Sequence, residues 1–169
     1  MKRIIFAKLF WFFILIIGIP ETGISQINDE NIRVKVLHKN VIGKEFVFGK
    51  WDENEGTETH LTYLGSVKTN KGKTYKFMNS IWIWGLSHRA TNRILIFNSR
   101  NQYLGNYAVT MVADLPTKLE NGILIFRNTD AECDKKITSR ISFKKGLPKE
   151  FFRECKNKYG DFYSFDGTN

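Results

Sequence analysis

Trp82 and Trp84 stand two residues apart in the segment Ile81-Trp82-Ile83-Trp84-Gly85-Leu86-Ser87-His88-Arg89. On an extended chain that spacing puts both indoles on one face. With His88, Arg89 and Arg93 close behind, the rings form a platform on which a sugar or an aliphatic ligand stacks while cations orient it. Tyr103 and Tyr107, on the hairpin expected next, would add hydroxyls from the neighbouring strand, and Asn106 an amide. The competing expectation is that the tryptophan face points inward and is core. These seven residues, Trp82, Trp84, His88, Arg89, Arg93, Tyr103 and Tyr107, are the candidate ligand site.

Other catalytic chemistries find less support. His38, His60 and His88 are too far apart in sequence to share a helix face, so no metal site is expected from them. Ser87 and His88 are neighbours, and neighbours on a strand point to opposite faces, which rules them out as a nucleophile–base pair. No serine sits in a Gly-x-Ser-x-Gly elbow. Asp114 and Glu120 are the carboxylates nearest the central strands, both beside turn residues, and a hydrolase would have to bring His88 and Asp114 together in the fold. Asp52-Glu53-Asn54-Glu55-Gly56-Thr57-Glu58 offers alternate oxygens to a hard cation. Its Gly56 falls one place too early for an EF-hand loop, and a solvated loop is the simpler expectation. No cofactor is implied.

Cys133 and Cys155 are the only cysteines, and an even pair in an exported chain predicts a disulfide. Closing that loop would stabilise the fold by about 3 kcal/mol in the chain-entropy picture.

Export is read from the start of the chain. Lys2, Arg3 and Lys8 form a basic region, Leu9 to Ile19 is unbroken apolar sequence, and Gly23 and Ser25 place small residues ahead of a cleavage point before Gln26. The apolar run would span about 16 Å as a helix, roughly half a bilayer core. Residues 1–25 therefore read as a signal peptide and 26–169 as one domain. Contact with a membrane would come only through an uncleaved signal segment.

The elements that must position the site are mostly strands. Alternation is expected at Ile32-Val34-Val36, and short strands at Phe46–Phe48, Leu61–Leu64, Tyr75–Phe77, Arg93–Phe97, Tyr103–Met111, Gly122–Phe126 and Ile137–Phe143. Asn70-Lys71-Gly72-Lys73 and Asn98-Ser99-Arg100-Asn101 have hairpin-turn composition. Pro148 and Glu150, followed by Phe151, Phe152, Cys155 and Tyr159 on one helical face and by Gly160, predict a helix over about 148–159. The expected fold is an antiparallel barrel or sandwich of about seven to eight strands with one C-terminal helix.

The net charge is +9, of which Lys2, Arg3 and Lys8 against Glu21 account for +2. Outside the cytoplasm the remainder points away from nucleic acid and toward an anionic envelope component, a glycan or an acidic protein. It also suits a merely soluble surface. The expected function is a secreted or periplasmic, non-enzymatic binding domain. The alternatives are a small secreted hydrolase and a protein inhibitor or immunity-type partner.

Overall fold

The computed structural model describes residues 24–54 and 56–168, with side chains from Glu30 onward. The signal-peptide reading falls almost entirely outside these residues. The first element, helix α1 (Ile24–Lys39), begins just before the expected cleavage point.

Ten strands follow. They are β1 (Glu45–Gly49), β2 (Glu58–Lys68), β3 (Thr74–Trp84), β4 (Arg89–Asn98), β5 (Tyr103–Val109), β6 (Lys118–Glu120), β7 (Ile123–Arg127), β8 (Thr138–Ser142), β9 (Glu150–Lys156) and β10 (Tyr159–Gly167). A 3-10 turn, Val112–Asp114, leads from β5 toward β6. A seven-stranded antiparallel sheet has the order β1-β2-β3-β4-β5-β10-β9, and β6-β7-β8 form a second sheet of three. Among the described strands β1 and β9 remain the edges of the large sheet, so the architecture is a sandwich and not a closed barrel.

Both faces of the large sheet are covered. The main core lies on one face, where Phe77, Ile94, Ile96 and Tyr107 meet Leu124, Phe126 and Phe143 from the smaller sheet and its flank, with Phe151 and Tyr163 from the terminal hairpin. On the other face Val36 and Leu37 of α1 pack onto Leu61, Tyr63, Met78, Leu95 and Phe97. Gly105 marks where β10 crosses closest to β5. Its φ is +141°, and a Cβ there would sit 2.2 Å from the Asp166 carbonyl oxygen, so only glycine fits.

Two elements differ from the sequence reading. The stretch Ile32–Val36 is helical, because Ile32, Val36 and Leu37 also fall at helical spacing and gain a sheet face to pack on. A short run of alternating β-branched residues fits either period, and the tertiary contact decides. The predicted helix over 148–159 is instead the β9–β10 hairpin. Phe151 and Arg153 are both buried, an alternation of period two that the charge of Arg153 conceals. Asn157 and Lys158 both adopt positive φ, 52° and 66°, the backbone of a tight hairpin turn.

Candidate functional site

The β3–β4 hairpin fixes the tryptophan pair. Trp84 lies opposite Arg89 and Trp82 opposite Thr91, and Ser80 faces Arg93 one step further in. Residues directly opposite in an antiparallel ladder share a face, so Trp82, Trp84, Arg89, Thr91 and Arg93 form one contiguous surface. The two indoles stack, with centroids 5.5 Å apart and planes inclined by 23°. The Arg89 guanidinium lies 5.9 Å from the Trp84 ring centroid. Trp84 Nε1 donates to Thr91 Oγ1 at 3.0 Å, which locks the ring against the next strand. Both indoles are half-buried, and neither belongs to the core cluster beneath α1.

A third tryptophan, not singled out by sequence, completes this end of the molecule. Trp51 Nε1 donates to the Gly85 carbonyl at 2.9 Å, and its ring meets His88 edge-on at 4.4 Å. Trp51 thereby pins the β1–β2 loop to the hairpin tip. His88 takes a left-handed conformation (φ 52°), and its N–H donates to the Gly85 carbonyl at 3.1 Å. Thus all three tryptophans of the described chain gather at one end, with Arg89 among them. No spacing rule links Trp51 to Gly85. Only the loop geometry joins them.

The two candidate tyrosines are elsewhere. Tyr103 lies on the same sheet face but opposite Phe97, about 20 Å along the strands from Trp82. It packs under α1, with the Arg33 guanidinium 5.9 Å from its ring, and its hydroxyl accepts a hydrogen bond from Asn106 Nδ2 at 2.9 Å. Tyr107 points into the main core on the opposite face, fully buried, where its hydroxyl donates to the Pro148 carbonyl at 2.7 Å. Burial pushes its pKa well above the usual phenol range. The expectation that both tyrosines face the tryptophans across one strand fails because the bulge at Gly105 and the alternation of β5 separate them. Trp82, Trp84, Arg89 and Arg93 stay together, and His88 joins them through Trp51.

Acid–base chemistry gathers at a different place. His60 on β2 is held between two carboxylates, with Nε2 2.6 Å from Glu58 Oε1 and Nδ1 3.2 Å from Glu45 Oε2. Burial disfavours its charge, but the two acids outweigh that and raise its pKa. The hydrogen bond from His60, then the Trp51 backbone N–H, hold Glu58 below its ordinary value. His60, Glu45, Asn79 and Arg127 line a cleft of about 220 Å³. His88 and Asp114, the pair a hydrolase would need, are not brought together: Asp114 is buried against Arg153 and His88 packs on Trp51.

Cys133 and Cys155 are bonded, their Cα atoms 4.6 Å apart. The bridge ties β9 to the loop after β7, with strand β9 in the place of the helix expected there. Asn128 Nδ2 donates into the same corner, to the carbonyls of Asp134, Glu154 and Cys155. In the acidic stretch Asp52 Oδ1 accepts from the backbone N–H groups of Asn54 and Gly56, closing its own turn. No group of three or more His, Cys, Asp or Glu placed to hold a metal ion occurs among the described residues. No helix among them is long and apolar enough to cross a membrane.

No family model matches the chain, and neither the curated proteins nor the solved structures give a match to it.

Proposed function

We propose that this protein is an exported, non-catalytic binding domain whose ligand is an anionic glycan held at the β3–β4 end. The reading rests on one observation: Trp82 and Trp84 are stacked on a sheet face left outside the α1 contact, with the Arg89 guanidinium over Trp84. Stacked indoles present apolar rings to the faces of sugars, and Arg89 and Arg93 add charge that a carboxylate or sulfate on the glycan would meet. The bonded cysteine pair is consistent with an oxidising, non-cytoplasmic compartment.

The histidines favour binding over hydrolysis. A general base needs a free ring nitrogen within reach of the proton it takes. Both nitrogens of His60 are occupied by carboxylates, and these raise its pKa. His88 packs edge-on against Trp51 at the hairpin tip.

The test is titration of the mature domain with tetragalacturonate, followed by tryptophan fluorescence, with neutral cellotetraose as the control. Saturable quenching by the acidic tetramer and a clearly weaker response to the neutral one support the proposal. A flat response to both would remove the anionic-glycan reading.

A further inference from the structure

A second cavity opens at the opposite end of the sandwich, and its walls differ in kind from the tryptophan face. It has a volume of about 550 Å³ and an apolar floor of Tyr75, Leu104, Leu147 and Phe165. All four are half-buried and pack against the main core cluster, so the cavity is the core's own open mouth. Its size lies within the roughly 300–1,000 Å³ of small-molecule sites. Lys73 lines it, from the β2–β3 turn.

Lys73 of the β2–β3 turn is the cation that lines the opening. Lys71 of the same turn, Arg100 of the β4–β5 turn, and Lys145 and Lys149 of the segment around Leu147 lie within two residues of lining positions in sequence. These segments are fastened to each other and to the floor: Asn70 N–H donates to the Lys144 carbonyl, and Phe165 N–H to that of Lys149, both at 2.8 Å. Two acids close to these segments in sequence face away from the floor. Glu150 pairs with Ser164 and Asp166 with Asn106, and these positions alternate onto the sheet face opposite the one that Phe165 and Tyr107 share.

We propose that this mouth binds a single-chain amphiphile with an anionic head, the chain on the Tyr75–Leu104–Leu147–Phe165 floor and the head at Lys73. An apolar pocket alone would accept any greasy molecule. Lys73 at this opening, with the cations that flank the lining segments in sequence, favours an anionic head over a cationic one. The site is separate from the tryptophan face and does not depend on the reading given to that face.

Calorimetric titration of the mature domain with dodecanoate, below its micelle concentration, tests the assignment. One saturable site is expected, with dodecyltrimethylammonium binding at least about tenfold more weakly. Leu147→Trp, which fills the cavity from a half-exposed position, should weaken dodecanoate about tenfold or more. The surface variant Lys73→Glu should weaken it severalfold at unchanged melting temperature, and it keeps the test valid if Leu147→Trp perturbs folding. Trp82→Ala should leave it unchanged. The proposal is overturned by absence of saturable dodecanoate binding, by equal binding of the cationic amphiphile, by no effect of Lys73→Glu, or by loss of binding in Trp82→Ala.

Discussion

Arg153 Nη1 donates to Asp114 Oδ1 at 2.7 Å, with only 2% of the arginine side chain and 4% of the aspartate exposed. The pair joins β9 to the 3-10 turn after β5, segments 39 residues apart in sequence. Arg153 Nη2 also donates to the Ala113 carbonyl at 3.0 Å, and Asp114 Oδ2 accepts from Met111 N–H at 2.9 Å. The charges are therefore hydrogen-bonded on both sides, as buried charges must be.

Removing either partner strands the other. Asp114→Ala or Arg153→Met should each cost about 3–5 kcal/mol in chemical denaturation, because a lone buried charge keeps its desolvation penalty. The double variant Asp114→Leu with Arg153→Met should cost less than either single change. A double variant as unstable as the sum of the singles would mean that the two residues contribute independently, and would contradict the pairing.

The Cys133–Cys155 bridge closes a loop of 22 residues in sequence separation. The denatured, unreduced protein should show no reactive thiol, and Cys133→Ser with Cys155→Ser should lower stability by about 3 kcal/mol. Two titratable thiols in the denatured, unreduced protein would contradict the bond.

The His60 clamp gives a pH signature. Its folded pKa lies above the ordinary 6.5, so its contribution is fully present below that value and is lost as pH rises through the folded pKa. Glu58 is shifted down from 4.5, so its contribution is present above that value and is lost as pH falls through its folded pKa. The stability difference between wild type and His60→Gln should therefore be largest between about pH 4.5 and 6.5 and shrink as pH rises beyond that window through the folded pKa of His60. Melting temperatures across that range check it, and a difference that grows with pH would contradict the clamp.

Much of the strand pattern could be read directly. The β2–β3 and β4–β5 hairpins follow from alternation and from turns built on Asn70–Lys73 and Asn98–Asn101, because both signals are local. The disulfide follows from the even cysteine count together with the expectation of export. The β9–β10 hairpin was hidden because its inward-facing residue is Arg153, whose burial depends on Asp114 from a distant segment. The α1 helix was hidden because its apolar residues fit two periods until a sheet face selects one. At the candidate site, Trp82, Trp84, Arg89 and Arg93 are held together by one hairpin and so were legible. Trp51 reaches them only through a loop, and Tyr107 leaves them because β5 turns it into the core.

If the stacked tryptophans are a binding surface and not core, Trp82→Ala should separate ligand affinity from folding stability. The half-exposed ring should cost about 1–2 kcal/mol of folding stability, well short of the roughly 3–5 kcal/mol lost when a core tryptophan is truncated. The same variant should weaken tetragalacturonate by about 1–2 kcal/mol, or roughly five- to thirtyfold. A core-sized loss of stability, with affinity unchanged in the folded fraction, would assign Trp82 and Trp84 to the core and contradict the account.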